Sequence, residues 1–241
     1  EVKEVRERVG IKDVTAFTKV LVEGPDAYAL LDRLTANRMP QKVGSITLTH
    51  MLNRRGRIEL ETTLVRMAED KFYLVCAAFF EQRLLDHLAQ RADENVAITA
   101  LSSTWGALSL NGPMSRDVLA ACTETRLDNA AFRWLSAQQI TVAGHSIWAC
   151  RMSYAGELGG ELHMPVDAMA DVYVAMWEAG QTHGIADYGS FAMNVMRMEK
   201  GFKGAGELTN EVTLAEADVL RFARTDKAYL GRDTPLRAHL P

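Results

Sequence analysis

A strand that runs into Gly-Pro and then a helix is found twice in this sequence, and no other feature limits the fold as much. Phe17 to Glu23 is strand-like, and Gly24-Pro25 then opens a helix whose apolar face carries Ala29, Leu30, Leu31 and Leu34. Proline is expected at the first helical position, where its missing N–H costs nothing. Ala107 to Asn111 repeats the strand, Gly112-Pro113 the break, and Val118, Leu119 and Cys122 the helical face, 88 positions further on. A second pair keeps the same 88-residue offset: the strand around Leu74 leads into a helix of Leu84, Leu85 and Leu88, and the strand around Leu162 into one of Met169, Val172, Tyr173 and Met176. We read an internal duplication, each copy a strand–helix–strands–helix unit. With short hairpins such as Val142-Ala143-Gly144-His145-Ser146 between strands, this predicts an α+β fold with mostly antiparallel sheets. A pseudo-two-fold pair of units leaves a cleft between copies, a common place for a ligand.

At 241 residues the chain can bury a real core without disulfide staples. Its 27 Lys+Arg against 31 Asp+Glu give a net charge of −4. That balance argues against nucleic acid or an anionic membrane as the main partner. Cys76, Cys122 and Cys150 are odd in number and lie far apart in apolar stretches, so buried reduced thiols and a cytoplasmic location are expected. No apolar run reaches the ~18 residues of a membrane span, and Glu1 to Arg8 is too charged for a signal peptide. It reads instead as a helical turn entering from something upstream. Near the other end, Ser190 is expected to cap a helix through Met193, Val195, Met196, Arg197 and Met198, with a stop at Gly201 and its methionines as core filler.

Two stretches hold residues suited to chemistry. From Arg151 to Glu161 the sequence RMSYAGELGGE places three glycines, Tyr154, Glu157 and Glu161 between two strands. A carboxylate accepts two N–H bonds side by side, which suits a guanidine-like ring edge, and a phenol supplies a flat face or an O–H donor. The same residues also describe an ordinary hairpin with both glutamates in water. In the second stretch, Asn53 to Val65, alternation from Ile58 puts Ile58, Leu60 and Thr62 on one face and Glu59, Glu61 and Thr63 on the other. Those carboxylates form either a solvated face balanced by Arg54, Arg55 and Arg57, or a proton acceptor with arginines near an anionic ligand tail. Gly201 to Gly206 matches neither a P-loop nor a dinucleotide fingerprint, and the six histidines lack metal-ligand spacing.

Taken in order, these motifs resemble the folate-binding aminomethyltransferase family, which includes the glycine cleavage T-protein and the folate domains of dimethylglycine and sarcosine dehydrogenases. Asp13-Val14-Thr15, Asn53 to Leu64, Leu110-Asn111-Gly112-Pro113 and Tyr154 to Glu161 fall in family order. Arg197 to Phe202, Glu207 to Glu211 and Thr213 to Ala217 look most like the dehydrogenase branch. The resemblance implies a fold of this family over residues 1–225, with 226–241 a connector toward a C-terminal domain. It implies tetrahydrofolate as cofactor, accepting a one-carbon unit from a small methylated amine or its iminium, with FAD entering only through an upstream flavin dehydrogenase domain or subunit. In that reading Tyr154, Glu157, Glu161 and Asn111 bind folate, Glu61 stands where the family has its catalytic aspartate, and Arg54 or Arg55 meets the glutamate tail. The chain departs from the pattern at Glu61, at Arg57 and Gly160 in the two glycine motifs, and at Met193 where the glycine cleavage branch has an arginine. A carboxylate displaced by ~1 Å can cost about a hundredfold in rate. Methyl transfer by a folate-dependent demethylase and folate binding without turnover are therefore the competing expectations.

Overall fold

The computed structural model describes residues 1–233, so the part of the expected connector from 234 on lies outside the described residues. In chain order the elements are α1 (Val2–Glu7), β1 (Val9–Asp13), β2 (Thr18–Glu23), α2 (Ala27–Leu34), β3 (Ile46–Leu52), β4 (Ile58–Ala68), β5 (Lys71–Cys76), α3 (Glu81–Ala89) and β6 (Ala97–Ala100). There follow β7 (Trp105–Asn111), α4 (Ser115–Ala121), β8 (Ala137–Val142), β9 (His145–Cys150), β10 (Gly159–Pro165), α5 (Met169–Gly180), β11 (Ile185–Asp187) and α6 (Ser190–Glu199). The fold is α+β with mostly antiparallel sheets, and only β1 and β11 pair in parallel. Among the described residues no helix is long and apolar enough to cross a membrane.

The chain forms two compact units. One comprises Glu1–Thr15 with Ser103–Lys203, the other Ala16–Ser102 with the described residues from Gly204 on. In the first unit a six-stranded sheet runs β11-β1-β7-β10-β9-β8. Alternate residues of its strands, among them Leu108, Leu110, Ile147, Ala149, Leu162 and Met164, are buried with Val118 of α4 and Val172 and Met176 of α5 in one apolar core. Strand alternation then turns Ser109, Asn111, Glu161 and His163 to the opposite face.

In the second unit a five-stranded sheet runs β3-β4-β5-β2-β6. Along β4, Ile58, Leu60, Thr62 and Leu64 are buried while Glu59, Glu61 and Thr63 are half-buried, the alternation read from the sequence. The β3–β4 turn is built by Asn53, whose Oδ1 accepts the N–H groups of Arg55 at 2.8 Å and Arg57 at 3.2 Å. From the later chain, Lys227 Nζ reaches Asp32 Oδ1 at 2.6 Å, and Leu230 N–H donates to the Arg33 carbonyl at 2.9 Å.

Two expectations about helix starts need correction. Pro25 and Pro113 do not occupy the first helical position. In each copy of the motif the residue after proline has bridge-region torsions, φ −98° and ψ 2° at Asp26 and φ −89° and ψ 0° at Met114. The N–H two residues after proline bonds back to the glycine carbonyl at 3.0 Å, from Ala27 to Gly24 and from Ser115 to Gly112. Each proline is thus the second residue of a type I turn that delivers the chain to the helix. Ser190 likewise is the first residue of α6 rather than its cap; Gly189 holds the cap position, and Ser190 Oγ accepts from Lys12 Nζ at 3.1 Å. Of the α6 methionines, Met193 and Met196 are buried and Met198 is exposed.

The turn at Gly112 tolerates no side chain. Its φ is +123°, and a Cβ would lie 2.4 Å from the Arg8 carbonyl oxygen and 2.7 Å from that of Val5, both rigid backbone. Gly112→Ala should therefore destabilise the protein by about 2–3 kcal/mol in urea unfolding. Gly206→Ala, where a Cβ meets nothing within 4 Å, should change stability by less than about 0.5 kcal/mol. Equal effects from both substitutions would refute the steric account.

Candidate functional site

The segment from Arg151 to Leu158 joins β9 to β10, and three separate contacts fasten it. Ser153 Oγ donates to Asn111 Oδ1 at 2.8 Å. The Tyr154 hydroxyl donates to the Lys203 carbonyl at 2.8 Å, and its ring lies nearly parallel to that of Phe202, 18° between planes at 6.3 Å. Glu157 is ion-paired with Arg6 of α1, and the same guanidinium also engages Glu199 at the end of α6 and the Ala155 carbonyl. A segment outside the named strands is thereby held in place by its own side chains.

These contacts redistribute the roles expected from the sequence. Asn111 is wholly buried, and beyond its bond from Ser153 it donates to Ser109 Oγ at 2.6 Å and to the Tyr188 hydroxyl at 2.7 Å. Both amide hydrogens and the oxygen are thus used inside the protein. Burial pushes the Tyr188 phenol up to about 12, with Glu161 among the charges that add to the effect, so it remains a neutral partner. Glu157 is likewise engaged by Arg6, a strut between loop and helix.

Glu161 differs from its neighbours. It sits in β10 rather than in the loop, directly opposite Ser109 of β7 and Cys150 of β9, and it is 8% exposed. The reading in which it faces water is therefore corrected: alternation along β10 points it into the sheet face that also holds His163. His163 is wholly buried, and its Nε2 lies 3.2 Å from Glu161 Oε2. Glu161 Oε1 takes no hydrogen bond from any described residue. Gly159 makes the approach feasible, since a Cβ there would lie 2.4 Å from the Leu110 carbonyl oxygen of β7. The outcome is a nearly buried carboxylate with one oxygen held and one open. The thiol of Cys150 beside it is pushed up by burial and, secondarily, by the Glu161 charge, which makes it inert as a nucleophile.

In the second unit, Glu61 on β4 faces His50 on β3. They are direct cross-strand partners, and Nε2 of His50 stands 3.0 Å from Glu61 Oε2. His50 is wholly buried, whereas the Glu61 side chain is 27% exposed. Glu59 shares the face of Glu61 but pairs with Arg83, Nε to Oε2 at 3.9 Å. Arg54 and Arg55 are exposed at the hairpin tip, and Arg57 forms a backbone bridge with Thr213.

Arg6, His50, His163 and Tyr188 were not singled out from the sequence. His163 was within reach, because it lies two residues from Glu161 and strand alternation puts both on one face. His50 required the hairpin register about Asn53 to Arg57. Arg6 and Tyr188 had no local signal, since their partners are more than 70 residues away in sequence.

The model of the GCVT N-terminal domain matches residues 1–227. Mitochondrial dimethylglycine dehydrogenase of Mus musculus is 34% identical over 231 residues, 94% of this chain and 26% of that protein. Aminomethyltransferase of Halothermothrix orenii is 28% identical over 240 residues, 98% of this chain and 67% of that protein. Among solved structures, the glycine cleavage system aminomethyltransferase T from Bartonella henselae shares the fold, with a TM-score of 0.84 at 23% identity over 95% of this chain and 63% of that one. The chain spans about a quarter of the length of the dehydrogenase relative. With nearly every residue inside the matched region, the chain belongs to the GCVT N-terminal domain family.

Proposed function

We propose that this domain binds tetrahydrofolate and transfers a one-carbon unit, methylene or aminomethyl, from a small methylated amine or its iminium. The observation that carries the reading is Glu161: a nearly buried carboxylate with Oε2 held by His163 and Oε1 open to a donor. Burying an ion is costly unless its lone pairs are used, and an edge bearing two adjacent N–H groups, as on a pterin, would use them. Tyr154, with its hydroxyl and ring both anchored, offers a fixed surface beside that edge. Asn111 and Glu157 contribute by holding the loop, and Arg54 and Arg55, exposed at their hairpin tip, are the cations proposed for the glutamate tail.

Bound tetrahydrofolate would supply the nitrogen that accepts the one-carbon unit. In this reading Glu61 stabilises positive charge at that nitrogen or takes a proton from it, a role that requires only a partly exposed carboxylate held in place. The likeness to dimethylglycine dehydrogenase supports a place within a larger demethylating protein, in which FAD would belong to a separate flavin dehydrogenase domain or subunit. Three free thiols suit the cytoplasmic setting expected from the sequence. The mouse relative is mitochondrial by name, and that compartment is equally compatible with them.

Calorimetric titration of tetrahydrofolate under reducing conditions tests the reading. Saturable binding is expected in the wild type, weakened tenfold or more, about 1.4 kcal/mol, by Glu161→Ala. A folded wild-type chain that does not bind would refute it. Glu61→Gln should retain binding within about threefold and lose methylene transfer by about a hundredfold or more. Undiminished turnover in Glu61→Gln would instead favour transfer of a whole methyl group, and binding with no turnover in the wild type would favour a folate-binding factor.

A further inference from the structure

We propose that His50 is a positioning residue for Glu61, fixing where this glutamate presents its outward oxygen. The inference rests on the reading of Glu61 as the carboxylate at the reacting nitrogen. Directly opposed residues on antiparallel strands have Cβ atoms about 4.5–5.5 Å apart and point to the same side, so the β3–β4 register alone brings imidazole and carboxylate together.

A histidine is a costly choice for this position unless the contact has a use. His50 is wholly buried, and its Nδ1 has no hydrogen-bond partner among the described residues. Its Nε2 approaches Glu61 Oε2 to 3.0 Å, yet obliquely, so that the contact is electrostatic rather than a directed hydrogen bond. The ring also lies 5.9 Å from that of Phe222, a setting in which an apolar side chain would pack without desolvation cost. An unsatisfied buried polar group is costly, so a histidine here is explained if its contact with Glu61 has a use.

The neighbouring carboxylate sharpens the assignment. Glu59 and Glu61 lie side by side, but Glu59 is given to a guanidinium and Glu61 to an imidazole. A guanidinium fork neutralises a carboxylate, whereas an imidazole can orient one oxygen and leave the other available. Glutamate also carries one more rotatable bond than aspartate. A wholly buried ring against Oε2 restricts that freedom, which gives the longer side chain a more defined reach.

Two measurements on the full chain test this. In the first, imidazole 15N NMR is compared between wild type and Glu61→Gln without folate. The tautomer-sensitive shifts of His50 should change while those of the other histidines stay in place, and an unchanged His50 spectrum overturns the proposal. This arm needs no ligand and judges the contact even if the folate reading fails. In the second, His50→Phe and His50→Gln are assayed for one-carbon transfer. Both should lower kcat tenfold or more with KM for tetrahydrofolate within twofold of wild type. His50→Phe/Glu61→Gln should be no slower than Glu61→Gln alone. An unchanged kcat, or independent multiplication of the two defects, overturns the positioning role. His50→Gln serves as the polar substitute if His50→Phe does not fold, and a wild type that binds no folate refutes the functional reading separately.

Discussion

A carboxylate taken out of water must be met by donors, and in the first unit Glu161 is a nearly buried carboxylate with few of them. The residue is nearly buried and has one imidazole against it. The desolvation penalty for an isolated buried ion is several kcal/mol even after relaxation, so a single imidazole leaves the site underused. The surroundings keep it so. Asn111 donates to the hydroxyls of both Ser109 and Tyr188, and the Arg6 guanidinium is occupied by Glu157 and Glu199. Oε1 of Glu161 takes no hydrogen bond from any described residue, and in the proposed function it is the oxygen that meets the ligand.

The second unit handles its carboxylates differently. Glu61 is partly exposed, and what it receives is a wall on one side, the buried His50 ring. The two units therefore share a device, an imidazole behind a carboxylate, applied to a nearly buried group in one and to a partly exposed group in the other. Burial suits recognition of a fixed edge, and exposure suits charge stabilisation and proton exchange.

Much of the fold was legible because its signals are local. The alternation Ile58, Leu60, Thr62, Leu64 gave β4 its buried face, and Gly24 and Gly112 marked the breaks before α2 and α4. The helix starts were misread because Gly-Pro serves equally at a helix entrance and in a type I turn, and only the torsions at Asp26 and Met114 separate the two. Within the candidate site, Glu161, Tyr154 and Glu61 were visible as residue types in motifs. What the sequence could not reveal was which of the polar residues were already partnered. Asn111 and Glu157 have partners distant in the chain, Tyr188 and Arg6, which no local pattern announces.

The account turns on Glu161 being the group that meets the ligand, and a crystal structure of the chain with tetrahydrofolate would examine this most directly. The prediction is a pterin edge with two N–H groups about 2.7–3.2 Å from the Glu161 carboxylate oxygens, the His163 contact retained, and Asn111 and Glu157 still bound to their protein partners. Tetrahydrofolate ordered elsewhere with Glu161 untouched, or Glu157 released from Arg6 to hold the ring, would contradict it.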